Sequence, residues 1–148
     1  MKVTIIEEAN AQTEIIIKCN SIDDEILSLV EKLKKFKDKI LVYDDNMQTV
    51  LIQIKDILYC EYVDRAVYLY TIDKIYKTND SLNDLEESKL SEDFFRCSKS
   101  FIINIHYIQS FKSDLSGRLI ATLVNEEKIY ISRHYSKKFK EKLYQMRW

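Results

Sequence analysis

Short β-branched runs broken by polar corners fill most of this chain, a pattern that predicts many strands and few helices. The first 36 residues read as strand, strand, helix. Residues 3–9 (VTIIEEA) and 13–19 (TEIIIKC) are the extended runs, with a polar turn between them. Ser21 stands as the helix N-cap, with Asp23, Asp24 and Glu25 in a first turn that favours negative charge. Ile22, Ile26, Leu29, Val30, Leu33 and Phe36 recur at helical spacing as one apolar stripe. Lys32, Lys34, Lys35, Lys37 and Lys39 gather at the far end, where cations are favoured and a solvated helix end is expected.

From residue 40 the period shortens to that of strands. Residues 39–54 read as a hairpin turning at Asp44, Asp45 and Asn46. Residues 56–61 and 66–71 are further strands around a polar corner at Asp64 and Arg65, and residues 72–78 close another hairpin through Asp73 and Lys74. Ser81 caps a short helix over 82–90, with Leu82, Leu85 and Leu90 facing inward. Two extended runs follow at 100–105 and 107–111, then a hairpin of 118–124 and 128–132 turning at residues 125–127. A helix over 133–146 ends the sequence. The fold class expected is mostly β, α+β overall, with a strand-strand-helix extension over 1–38 and the β domain over 39–148. The join is too short for a tether, so the extension is expected to pack on the β domain or on a second copy.

Composition narrows the function. At 148 residues the chain is one domain, or one with a small appendage, and 46% hydrophobic content is enough for a core. No run approaches the ~20 apolar residues that cross a bilayer, and MKVTIIEEAN lacks a signal peptide's apolar stretch, so the cytoplasm is the expected compartment. Cys19, Cys60 and Cys97 are scattered, without a CxxC pair and with only His106 and His134 beside them, so thiols and no metal are expected. Gly117 stands alone and there is no proline, which excludes phosphate-cradling glycine loops. There is no GxSxG elbow, and the carboxylate pairs Glu7-Glu8, Asp23-Asp24, Glu86-Glu87 and Glu126-Glu127 fall at turns or on helix surfaces. No enzyme, cofactor or small-molecule substrate is expected.

Charge is uneven. Residues 1–90 carry 12 Lys/Arg against 18 Asp/Glu, and residues 91–148 carry 11 against 6, so a net charge of −1 conceals a basic C-terminal third able to meet a polyanion. In the last helix Tyr135, Phe139, Leu143 and Met146 share one side, and Arg133, Lys137 and Lys140 lie roughly opposite. Arg65 stands in a strand-to-strand corner and Lys99 in the segment RCSKS between apolar runs. Cations on separate loops and a helix end are what a β scaffold uses to touch a nucleic acid at several points.

The stretch FFRCSKSFIINIHYIQSF resembles the central signature of LytTR-type DNA-binding domains of bacterial transcription regulators, F-x-R-x-H-[RKN]-S-[FY]-[IL]-[VI]-N. IKDILYCEYVDRAVYLYT, SLNDLEESKL and KIYISRHYSKKFKEKL resemble three further family segments in the right order, so the likeness covers about two thirds of the chain. The resemblance implies an elongated arrangement of small antiparallel sheets that binds duplex DNA through loops. It places Arg65 in the loop that enters one major groove, Arg133 at the arginine of the next, and Lys99 between them as the base-reading candidates. Ser98, Ser100, Arg118, Lys137 and Lys140 are the phosphate candidates. Ser98 stands where relatives usually have His, which puts in question any contact made by that imidazole. Phe94, Phe101, Ile103, Ile108 and Tyr135 match the motif as core positions, and Asn104 as a backbone-bonding residue.

About 40 residues precede the matched region, too few for the phosphoacceptor receiver domain of many relatives. The segment resembles instead the short extension of stand-alone regulators, some of which are paired with membrane proteins. Ile22, Ile26, Leu29 and Leu33 are thus the expected surface for a homodimer or for an inhibitory membrane-protein partner. The reading is a sequence-specific double-stranded DNA-binding transcriptional regulator on repeated half-sites. The alternative is a protein–protein module on the same scaffold that has lost DNA binding, supported by the net −1 charge and Ser98. Salt separates them, since only phosphate contacts weaken log-linearly with it.

Overall fold

A computed structural model that describes residues 1–12 and 14–146, with the side chains of residues 36 and 37 left aside, holds ten strands and three helices. In chain order they are α1 (Asp24–Lys37), β1 (Lys39–Tyr43), β2 (Thr49–Gln53), β3 (Tyr59–Val63), β4 (Ala66–Tyr70), β5 (Ile75–Thr78), α2 (Leu82–Asp84), β6 (Phe94–Arg96), β7 (Phe101–Asn104), β8 (Ile108–Ser113), β9 (Leu119–Leu123), β10 (Lys128–Ile131) and α3 (Arg133–Gln145). Seven strands form an antiparallel sheet in the order β2-β1-β5-β4-β3-β7-β6, and three form a second in the order β10-β9-β8. The fold is mostly antiparallel β with short helices, as the strand pattern from residue 40 predicts. Among the described residues no helix is long and apolar enough to cross a membrane.

Two sequence expectations are corrected. Residues 3–9 and 14–19 form no strand, and Thr13 lies outside the described residues. β-branched residues favour an extended backbone, but a strand also needs a partner for its amides, and these runs pair with neither sheet; Val3, Ile5, Ile6, Ile15 and Ile16 are exposed. The helix N-cap is Asp23, not Ser21: the Asp23 carboxylate accepts from the Ile26 N–H at 2.9 Å, which leaves Ile22 outside the helix. Two smaller shifts have local causes. Residues Ile54–Asp56 form a 3-10 turn, so β3 starts at Tyr59. Residues Ile105–Tyr107 form another, capped by Asn104, between β7 and β8. The helix begun at Ser81 is a capping box with Asp84 and widens into a π turn over Leu85–Lys89.

A chain with one glycine must place other residues where the backbone turns left-handed. Asn10, Met47, Asp64, Arg65 and Glu126 all have positive φ, as does Gly117. Side chains offset the strain at some tips. The Asp44 carboxylate accepts from the Asn46 and Gln48 N–H groups at 2.9 Å each, which closes the β1–β2 loop around Met47.

The central strands wall two cores at once. β3 and β7 pair Tyr59 with Ile103 and Cys60 with Ile102. Because side chains alternate faces along a strand, Cys60 and Ile102 enter the first core, with Val42, Leu69, Leu82 and Leu85, while Tyr59 and Ile103 enter the second. That second core holds Leu119, Leu123, Ile131 and Phe139, so it joins the small sheet and α3 to the large sheet. Of the family-motif positions, Phe94 and Ile103 are buried and Phe101, Ile108 and Tyr135 are partly buried against the same core residues.

Asn104, 2% exposed, ties these layers as its motif position suggests. Its Nδ2 donates to the Ile57 carbonyl at 2.9 Å, and its Oδ1 accepts from the His106 N–H at 3.1 Å. Asn104→Ala leaves both backbone groups without their partner and is expected to cost about 1–3 kcal/mol. Urea unfolding should show a lower midpoint with an unchanged slope.

Candidate nucleic-acid interface

Three cation-bearing segments far apart in sequence are laced together by backbone hydrogen bonds. β3 and β4 meet in a two-residue turn, since Val63 pairs with Ala66, and Arg65 is at its tip. The Tyr62 N–H at the base of this hairpin donates to the Ser100 carbonyl at 2.8 Å, fixing it to the β6–β7 loop that carries Lys99. The Cys97 carbonyl of that loop accepts from the Ser132 N–H at 3.0 Å, fixing it in turn to the start of α3, where Arg133 is the first helical residue. Arg65, Lys99 and Arg133 are all exposed.

Each segment is held stiffly. Asp64 and Arg65 have φ of 51° and 62°, as a type I′ turn requires, although that turn favours Asn-Gly. Holding an arginine in this left-handed state costs roughly 1–2 kcal/mol, strain of a kind that clusters at functional positions. The Lys99 loop is clamped by Arg96. Its Nε donates to the Ser98 carbonyl at 2.6 Å and its Nη2 to the Lys99 carbonyl at 2.9 Å, while Nη1 reaches Asn83 and Glu86 beside α2. Ser98 Oγ accepts from the Ser100 N–H at 3.1 Å, so that hydroxyl also shapes the loop.

The helix end completes the arrangement. α3 is seated by Phe139, which is fully buried with its ring against Phe95 and Phe111, and by the Lys142 ammonium donating to the Phe94 carbonyl at 3.0 Å. Tyr135, Leu143 and Met146 are partly buried on this side, and Arg133, Lys137 and Lys140 are exposed, as the helical spacing predicts. The first turn holds Arg133 and His134 and no acid, and Ser132 makes no side-chain cap. Cations at a helix start oppose the dipole, whereas an anion there is favoured.

Hydrogen bonding separates Arg96 and Arg118 from the other cations of the candidate site. Arg96 and Arg118 are engaged within the protein: Arg118 Nε meets Asp114 Oδ2 at 2.9 Å, and its guanidinium lies 4.7 Å over the Tyr130 ring. Arg65, Lys99, Arg133, Lys137 and Lys140 have no ion-pair partner among the described residues. Gly117, which precedes Arg118 in the β8–β9 loop, borders the site, because a Cβ on it would lie 3.7 Å from the Arg133 Nε. The sequence signal was weak for Gly117 and His134, and Arg96 stood at the arginine of the family signature with nothing in the sequence to say what it holds. Ile22, Ile26, Leu29 and Leu33 are elsewhere. α1 touches β1, which two strands separate from β3.

Two of the thiols and one carboxylate are shifted by their surroundings. Burial pushes the Cys60 thiol up to about 12 and the Cys97 thiol well above its ordinary value, so both stay protonated. Asp114 is held down to about 2, foremost by the Ser116 hydroxyl and then by Arg118. A carboxylate whose folded value lies below its ordinary 3.8 contributes stability above that pH and loses it as pH falls toward 2. The stability difference between the wild type and Asp114→Asn should therefore shrink between pH 4 and 2, read by urea unfolding at each pH. At the opposite hairpin Arg65→Gly relieves a left-handed arginine, and a gain of about 0.5–1 kcal/mol is expected in the same measurement at pH 7.

Residues 47–144 match the family model of the LytTr DNA-binding domain. The sensory transduction protein LytT of Bacillus subtilis is 30% identical over 95 residues, 64% of this chain and 39% of LytT. LytT of Bacillus anthracis is 33% identical over 94 residues and is matched over 38% of its length, so the chain spans about two fifths of these relatives. A Staphylococcus aureus protein named as an HTH-type transcriptional regulator is 27% identical over 145 residues, 97% of this chain and 98% of that one. A solved LytTr DNA-binding domain from Bacillus cereus, 21% identical, shares the fold with a TM-score of 0.67 over 72% of this chain and 96% of its own.

Proposed function

This chain belongs to the LytTR DNA-binding family, and from that premise we propose that it is a sequence-specific regulator of transcription acting in the cytoplasm on duplex DNA. The observation that carries the reading is the sorting of cations just described. Five basic side chains without an ion-pair partner among the described residues stand on three segments that backbone hydrogen bonds hold together. In this reading residues 39–148 are the DNA-binding unit and residues 1–38 serve association.

Roles divide by chemistry and by rigidity. Arg65 and Arg133 read bases in successive major grooves, because a guanidinium pairs bidentately with guanine O6 and N7 for roughly 1–3 kcal/mol of discrimination. Lys99 reads between them from its clamped loop. Lys137 and Lys140, one and two turns along α3 from Arg133, meet phosphates, with Ser98 and Ser100 supplying hydroxyls. Arg118 acts as a positioning residue, since Asp114 already neutralises it. Two copies on repeated half-sites double this contact set, and specificity grows with the number of bases read.

Fluorescence anisotropy with fragments of DNA upstream of the protein's own gene, at two salt concentrations, tests the reading. Affinity should fall log-linearly with salt, and Lys137→Ala should reduce that slope by about one phosphate's worth. Arg133→Ala should lose roughly 5- to 150-fold on the selected site and little on random DNA. Binding that ignores salt, or none by a folded protein, would replace this reading with a protein–protein module.

A further inference from the structure

The apolar stripe of α1 belongs to neither core. Both cores draw their described side chains from residue 40 onward, while Ile22 and Leu27 are exposed and Ile26, Leu29, Val30 and Leu33 only partly buried. Within α1 the stripe has the spacing of a two-stranded seam: 26, 29 and 33 rise by three and then four residues. Charge is separated along the same element, with Asp23, Asp24 and Glu25 at its start and Lys32, Lys34 and Lys35 toward its end.

We propose that α1 pairs antiparallel with α1 of a second copy of this chain, across a two-fold axis. The occupant follows from charge. A parallel pair would set two acidic ends together and two lysine-rich ends together, whereas the antiparallel pair sets each acidic turn against a basic one. Facing Ile26 with Leu29 of the second copy brings Glu25 to the flank beside Lys32, and carries each Leu33 past the start of the other helix. Symmetry repeats that contact, so each surface is its own complement, as a two-fold interface requires. The seam is short. α1 is 14 residues, about 21 Å long, and buries less than the roughly 1,000 Å² of a stable interface, so the association is weak and rises with concentration. A weak pairing suffices where a second contact holds the copies close. The inference deepens the assignment of residues 1–38 to association and stands apart from DNA binding, since pairing is measured without DNA.

Sedimentation equilibrium of the full chain at low ionic strength, over roughly 5–500 µM, tests the pairing. The mass should climb from 17.7 kDa toward twice that value as concentration rises. Glu25→Lys and Lys32→Glu should each hold the protein near 17.7 kDa, because each sets like charges at both flanks. An equimolar mixture of the two variants should associate again, with opposite charges restored at both contacts, and the double variant should do so alone. Recovery in the mixture also excludes misfolding as the cause of the loss. A wild type that stays at 17.7 kDa throughout, or a dimer indifferent to both substitutions, overturns the proposal and leaves the stripe to another partner or surface.

Discussion

Everything else in this fold leans on the pairing of β3 with β7. Over Tyr59–Cys60 and Ile102–Ile103 the paired strands bury both faces, so one ladder of backbone hydrogen bonds supports two hydrophobic cores. Buried amides must be paired, and the short ladder satisfies them while Asn104 closes its end by bonding Ile57 and His106. The side chains that alternate across it make the large sheet, the small sheet and α3 a single packed unit. At its other end the ladder runs directly into the basic site, where Tyr62 and Ser100 continue the hydrogen bonding between loops.

The site is built by spending some cations on structure so that others stay available. Arg96 fastens two carbonyls of the Lys99 loop, and Arg118 holds the β8–β9 loop through Asp114. These planar forks suit such work because several donors act at fixed angles. The remaining cations project from a two-residue turn, a clamped loop and a helix start, all of which restrict the backbone beneath them. Ordering such groups beforehand lowers the entropy lost when a polyanion is bound. The left-handed Arg65 fits the same logic, with turn strain accepted where a long cation is needed at the tip.

Charge is arranged as economically as packing. The acidic excess before residue 90 and the basic excess after it give a near-neutral chain with distinct ends. Such segregation orients a protein toward a polyanion while limiting indiscriminate attraction. Within α1 the same principle operates over 14 residues, where opposed charges at the two ends make the helix complementary to its own reverse.

Periodicity in the sequence determined the strands and hairpins from residue 40, the amphipathic last helix and the exposure of Arg133, Lys137 and Lys140, because alternation and helical spacing are local consequences of backbone geometry. The resemblance to the family supplied the order of the motifs. Residues 3–9 and 14–19 misled for the same local reason: their composition favours extension, but a strand exists only where another backbone accepts its hydrogen bonds. Strand β6 escaped notice because three residues carry no readable period. Only the tertiary structure brought Arg65, Lys99 and Arg133 onto connected segments, made Arg96 a clamp and set Gly117 beside Arg133. Those facts depend on hydrogen bonds between residues tens of positions apart, such as Tyr62 to Ser100 and Ser132 to Cys97, and no pattern confined to neighbouring residues encodes them.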